Sequence, residues 1–226
     1  MLQKRGNAVK KQVVVIGLGR FGTSVCKELY RLGHEVLAID TNVDRVDYLR
    51  DYSSHAVVAN ATDESELKSL GVRNFDHAIV AIGDNLQASV LCTLMLKEIG
   101  IAKVWVKARD LQHQKILEKV GADKVIQPEN EMGIRVAQHM HSDKIIDYID
   151  LSNEYSIIEL VASAKVADKT LNQLNFREKY KCIVLAIKRQ EEVDIAPLPN
   201  DQLQLGDILI VMGHRNDLKR LEDRGI

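Results

Sequence analysis

The ten residues Val13-Val14-Val15-Ile16-Gly17-Leu18-Gly19-Arg20-Phe21-Gly22 constrain the fold more than any other stretch. An apolar run of four stops at a glycine, and an amphipathic pattern begins directly afterwards. That is the pattern of a buried parallel strand feeding a tight turn and a helix N-terminus. Gly17 allows the turn, Gly19 lets backbone approach a pyrophosphate, and Gly22 lets helix and strand pack closely. The unpaired N–H groups and positive dipole end of a helix start suit an anion. A second apolar run, 36–39, ends in Asp40, 23 positions after Gly17. An acid there can accept hydrogen bonds from ribose hydroxyls and repels a 2′-phosphate. The plainer alternative is a structural glycine turn in an α/β protein.

A recurring helix end follows, spelled Leu-x-x-(Leu/Ile/Val)-Gly, at Leu29…Gly33, Leu67…Gly71, Leu96…Gly100 and Leu117…Gly121. The apolar pair marks the buried face of each last turn, and the glycine takes the left-handed conformation that ends the helix. Strands are expected at 13–16, 36–39, 56–59, 78–82, 103–106 and 124–126. Six strands alternating with helices specify an α/β fold with a doubly wound parallel sheet. Pro128 is placed to open a helix running to about His141. Residues 1–11 are polar and expected to be loose. From 155 the texture changes to strand (156–161), short helix (170–174), strands (182–187, 191–195), a Pro-Leu-Pro-Asn loop (197–200), strand (208–212) and helix (216–223). The expected organisation is a nucleotide-binding domain over 1–141, a linker over 142–154 and a small α+β domain over 155–226.

The formal net charge of −1 leaves no electrostatic footprint for nucleic acid. No apolar run approaches the roughly 18 residues that span a bilayer, and the basic residues before the first strand lead into no cleavage pattern. Cys26, Cys92 and Cys182 are odd in number and far apart, which suits a reduced, cytoplasmic setting and shows no metal-ligand spacing.

Around the glycine turn, Arg20 can reach past a diphosphate toward a terminal phosphate, or be a plain surface arginine. Asn42 offers a polar contact to ribose or adenine, or serves as a turn residue. Asn60-Ala61-Thr62-Asp63 follows the third strand, with Thr62 expected to cap the next helix and the loop to lie by the adenine. Gly83-Asp84-Asn85 after the fourth strand reads as a cap first and a phosphate-side loop second. Glu129, in the first turn of the Pro128 helix, is favourable through the dipole alone, with a divalent cation near nucleotide phosphates as the alternative. All seven histidines read as surface or capping residues. No nucleophilic triad or paired-carboxylate arrangement can be read, and no sizeable second domain supplies an acid–base pair. Binding without turnover is the expectation, so the chain reads as no enzyme.

With this layout the chain resembles the RCK/KTN family, the regulators of potassium conductance, and within it the cytosolic gating-ring subunits of Ktr-type bacterial potassium uptake systems. The matching pieces are V-V-V-I-G-L-G-R-F-G (13–22), G-H-E-V-L-A-I-D (33–40), H-A-V-V-A-N-A-T (55–62), L-G-V-R-N-F-D-H-A-I-V-A-I-G (70–83), P-E (128–129), Y-I-D-L-S-N-E-Y-S-I-I-E-L (148–160) and V-M-G-H (211–214). The resemblance implies a Rossmann-like domain followed by an RCK-C domain. It also implies a homo-octameric ring, cytoplasmic and peripheral to the inner face of the membrane, beneath an embedded potassium-translocating subunit. ATP would activate and ADP inactivate. Gly17, Gly19, Phe21 and Gly22 would line the phosphates, with Asp40 on the ribose and Asn42, Asn60, Ala61, Thr62 and Gly83 around the nucleotide. Arg20 would approach the γ-phosphate, and Glu129 would sit at a Mg2+ or Ca2+ site serving ATP. Cyclic di-AMP would bind between second domains, at Arg177 and the loop 197–199. The reading from another class is an NAD(H)-binding oxidoreductase or redox sensor, which the glycine turn and Asp40 support equally. A DNA-binding redox regulator fails for want of a basic module.

Overall fold

A computed structural model describes residues 10–141, 145–152 and 154–224. Its first element, β1 (Gln12–Ile16), is apolar after Gln12 and buried on both faces, as a central parallel strand requires. It runs into α1 (Arg20–Arg31), then β2 (Glu35–Asp40), α2 (Val43–Leu49), β3 (His55–Val58), α3 (Glu64–Ser69), β4 (His77–Val80), α4 (Leu86–Ile99), β5 (Lys103–Lys107), α5 (Leu111–Val120), β6 (Lys124–Ile126) and α6 (Pro128–His141). The six strands form one sheet in the order β3-β2-β1-β4-β5-β6, with every neighbouring pair parallel. The order reverses between β1 and β4, and in such a sheet the crevice beyond the strands' C-terminal ends is where ligands bind.

The two faces bury different clusters. On one, Val14, Ile16, Leu37, Ile39, Val80 and Val106 meet Leu96 of α4 and Leu117 of α5. On the other, Val13, Val15, Val36 and Ala38 meet Cys26 of α1 and Val46 of α2. The alternating residues of each strand are thereby removed from water on both sides. Gly71, Gly100 and Gly121 adopt φ of 66°, 94° and 105°, as the repeated helix-end pattern predicts.

The chain divides into two compact units, 1–130 and 131–226. The expected linker over 142–154 holds a strand, β7 (Ile145–Asp150), paired with β8 (Tyr155–Val161) through the turn between them. There follow α7 (Leu171–Leu174), α8 (Phe176–Tyr180), β9 (Ile183–Arg189), β10 (Glu192–Ile195), β11 (Ile208–His214) and α9 (Arg215–Asp223). These strands make an antiparallel sheet, β10-β9-β11-β8-β7. β8 and β11 alternate buried and half-buried residues, and Ile158, Leu160, Leu209 and Val211 pack with Phe176, Leu218 and Leu221. Arg189 clasps the buried Asp207 with two hydrogen bonds, at 2.8 and 2.7 Å. The helix at 176–180 was not anticipated; it is bracketed by Asn175 and Lys181, both left-handed. Of the residues 1–11 expected to be loose, 1–9 lie outside the described residues, while Lys11 is tied down, its carbonyl accepting the Glu35 N–H at 2.9 Å; the surface reading of His139 and His141 lies outside the described side chains.

Candidate functional site

Four helices of the first unit begin with their own side-chain cap. Asn42, Asp63, Asn85 and Asp110 each accept a backbone N–H from the first turn that follows. The cap expected from Thr62 is supplied by Asp63, whose carboxylate accepts from Ser65 and Glu66. Thr62 instead donates its hydroxyl to Asn60 Oδ1, at 2.8 Å. α1 differs: its N-cap is Gly19, which has no side chain to offer, so the orphan N–H groups of that first turn point outward.

The three glycines of the turn do three physical jobs. Gly17 has φ +89°, and a Cβ there would lie 3.0 Å from the backbone of Ala81. A Cβ on Gly22 would lie 1.9 Å from the Gly17 carbonyl oxygen. Gly19 is the contrast, since a Cβ there would meet nothing within 4 Å. Its glycine is required neither by backbone conformation nor by a neighbour, which leaves room for a ligand's close approach.

These residues open onto a cavity of about 570 Å³ beyond the C-terminal ends of the sheet, lined by Gly17, Gly19, Arg20, Phe21, Asp40, Arg45, Asn60, Ala61, Thr62, Gly83, Lys107 and Glu129, among others. That volume lies within the range of small-ligand sites. Of the residues expected from the sequence, all but three meet there. Gly22 is packed behind the turn, and Asn42 serves as the α2 cap, its Oδ1 accepting from Arg45 N at 3.0 Å. Arg177 belongs to the second unit, exposed on α8. The loop 197–199 is fastened to α7 by the Asn172 N–H donating to Pro199 O, at 2.7 Å. A cavity of about 740 Å³ in that unit includes neither, being lined by Lys165, Lys169, Lys179 and Arg224 among others.

Asp40 is buried at the end of β2, and both its oxygens are in use. Oδ2 accepts the Leu18 N–H at 2.6 Å and faces the Arg45 guanidinium at 3.4 Å, while Oδ1 accepts the Asn42 N–H at 2.8 Å. The acid therefore braces the glycine turn while presenting a charge to the cavity. At the opposite end Glu129 pairs with Lys107, Nζ to Oε1 2.5 Å. That hydrogen bond holds the Glu129 carboxyl below the usual range, against partial burial and with Arg20 adding to the effect.

Sequence reasoning missed Arg45 and Lys107, both of which line the cavity. It also read His113 as a surface or capping residue, whereas His113 is fully buried on α5, its Nδ1 accepting the Arg109 N–H at 3.3 Å and its Nε2 unpartnered among the described residues. Its spacing of four from Leu117 on the same helix face was the available signal.

No group of three or more His, Cys, Asp or Glu side chains able to hold a metal occurs among the described residues. A cation at Glu129 therefore fits only the mode in which one carboxylate is completed by ligand phosphates and water, as Mg2+ commonly is. No helix among the described residues is long and apolar enough to cross a membrane.

The arrangement defines a doubly wound, Rossmann-type domain with a ligand crevice at its strand-order reversal, followed by a small α+β domain. Family models for the TrkA-N domain and the TrkA-C domain match residues 13–128 and 155–224. The chain belongs to this family, that of the RCK regulatory proteins. It is similar to the Ktr system potassium uptake protein A of Bacillus subtilis, at 52% identity over 98% of this chain and 100% of that protein. It is also similar to the protein of the same name from Vibrio alginolyticus, at 41% identity over 92% of this chain and 94% of that one. Among solved structures, a GsuK channel bound to NAD superposes over 96% of this chain with a TM-score of 0.64. The chain spans 39% of that structure's length, and at 16% identity the likeness shows the fold alone.

Proposed function

We propose that this chain is the regulatory subunit of a Ktr-type potassium uptake system, gating a membrane-embedded potassium-translocating partner according to the nucleotide in its first domain. ATP favours the active state and ADP the inactive one. The observation that carries the reading is the cavity in which an open glycine at a helix start, a buried ribose-side acid and two cations, Arg20 and Lys107, converge. Gly17, Gly19 and Phe21 border the phosphates, Asp40 takes the ribose, and Asn60, Ala61, Thr62 and Gly83 close around the base and phosphates, with Gly22 and Asn42 supporting from behind. Arg20 meets the γ-phosphate, and Glu129 shares a Mg2+ or Ca2+ ion with it.

A ligand moves a conformational equilibrium only by its differential affinity for the two states. The γ-phosphate supplies that difference, because ADP leaves Arg20 and the cation unengaged. The assembly is a homo-octameric ring at the inner face of the membrane, and cyclic di-AMP acts at Arg177 and the loop 197–199 of the second domain. Names of relatives at 52% and 41% identity support the potassium role.

Calorimetric titration with ATP, ADP and NADH, with and without Mg2+, tests the nucleotide assignment. Tight ATP and ADP binding, with Mg2+ strengthening ATP alone and Arg20→Ala weakening ATP more than ADP, is the expected result. NADH binding that outruns ATP would move the assignment to a dinucleotide sensor or oxidoreductase, the reading that Asp40 supports equally.

A further inference from the structure

The Lys107–Glu129 pair is unequal. The Lys107 side chain is 14% exposed and that of Glu129 67%. A lysine whose side chain is mostly buried gains from a counter-charge at its tip, whereas an exposed carboxylate is well served by water. Lys107 Nζ reaches Glu129 from the end of β5, its tip 3.4 Å from where a Gly83 side chain would begin and 6.0 Å from the Phe21 ring. An ammonium carries three donors, and one is accounted for by Glu129. The same ammonium lines the cavity beside the glycine turn and Arg20, where a phosphate carries more charge than a carboxylate and accepts more hydrogen bonds.

We propose that Lys107 is an interlock between phosphate and cation: it holds Glu129 in an ion pair, and a phosphate that draws Lys107 away frees Glu129 for a divalent cation. The proposal rests on the nucleotide-site reading above and adds its order of events. A carboxylate already neutralised by an ammonium 2.5 Å away is a poor ligand for a dication, which that ammonium also repels. Cation binding is therefore conditional on a phosphate long enough to engage Lys107. Nucleotides that differ by one phosphate then differ in whether the cation joins them. Lys107 is thus a positioning residue that acts through its hydrogen bond to Glu129, whereas Arg20 acts on that carboxyl through its charge alone.

The test is Mn2+ binding to the full chain, read by electron paramagnetic resonance. With ADP present, whose phosphates can complete the coordination, Lys107→Gln is expected to bind Mn2+ at least tenfold more tightly than wild type, and Lys107→Arg to behave as wild type. Glu129→Gln in the Lys107→Gln background should abolish the gain. Replacing ADP by ATP should tighten Mn2+ at least tenfold in wild type and little further in Lys107→Gln. Lys107→Met keeps the apolar stem and replaces the glutamine variant if that one unfolds on heating below wild type. Equal Mn2+ affinities in the ADP complexes of wild type and of Lys107→Gln or Lys107→Met overturn the interlock, as does Mn2+ binding to neither complex. Failure of the underlying reading shows separately, as no calorimetric ATP or ADP binding by wild type.

Discussion

Replacing Gly19 and Gly22 in turn by alanine separates a glycine reserved for ligand from one reserved for packing. At Gly22 the new methyl would sit 1.9 Å from the Gly17 carbonyl oxygen and 3.1 Å from Ala81 Cβ. Ordinary contact between carbon and oxygen begins above 3 Å, so backbone on one side must move by more than 1 Å. Overpacking of this kind costs about 1–3 kcal/mol, and the rigidity of both partners puts Gly22→Ala at the top of that range. At roughly 2–4 °C per kcal/mol, the melting transition should fall by about 6–12 °C. At Gly19 the methyl meets nothing within 4 Å, and φ −68°, ψ −173° is open to alanine. The chain-entropy gain of about 0.4–1 kcal/mol there offsets the poorer capping by alanine, so stability should stay within about 1 kcal/mol of wild type. The same methyl stands where phosphate would approach α1, and ADP affinity should drop at least tenfold, about 1.4 kcal/mol. Differential scanning fluorimetry gives the first quantity and calorimetry the second. If Gly19→Ala binds ADP as tightly as wild type, or melts as early as Gly22→Ala, the reasoning about the turn is wrong.

Three further outcomes follow from buried groups. His113 is buried and held below its usual pKa of 6.5 by desolvation; the neutral form is favoured in the folded chain, the unfolded chain takes up the proton first, and stability falls as pH drops through about 6.5. Urea midpoints at pH 7.5 and 5.5 should differ by less in His113→Leu than in wild type, and an unchanged difference would dismiss His113 as a contributor. Cys26 and Cys182 are pushed up to about 11 and Cys92 to about 12 by burial, so a thiol reagent at pH 8 should label none rapidly before denaturation and all three afterwards. Arg189→Met leaves the buried carboxylate of Asp207, 2% exposed, with the Gln204 N–H as its remaining hydrogen bond among the described residues, at a cost of about 1.5–3 kcal/mol at neutral pH, and adding Asp207→Asn should restore part of it. The Arg189 hydrogen bond holds the Asp207 pKa below 3.8, so the wild-type advantage should be present above that pH and fade below it.

What could be read ahead of the structure were features whose cause is local. Apolar runs such as 13–16 and 36–39 mark strands buried on both faces, and the glycines at 71, 100 and 121 sit where helices must end. The glycine turn and Asp40 were legible because their spacing is set by one strand–helix–strand unit, which always returns the second strand beside the first. The helix at 176–180 escaped notice because its five residues are too few to show a period, and β7 because an irregular pairing with β8 interrupts its alternation.

The misses in the site have a different cause. Lys107 closes the strand Lys-Val-Trp-Val-Lys, in which both lysines look alike as solvated strand ends. Lys103 begins the strand and lies at its far edge, while Lys107 ends it at the edge where the cavity opens. Its partner Glu129 lies 22 residues on, and the two meet only because β6 pairs with β5 in parallel register, Lys107 beside Ile126. Arg45 likewise reaches Asp40 only through the turn that α2 makes beyond β2. Both unforeseen cations touch an acid that was foreseen. In this structure each of the two anticipated carboxylates is paired with a basic residue from a neighbouring element, Asp40 with Arg45 and Glu129 with Lys107. Any ligand group that uses Asp40 or Glu129 must displace or share that cation, and the difference in affinity between nucleotides is set as much by those exchanges as by the contacts a ligand adds.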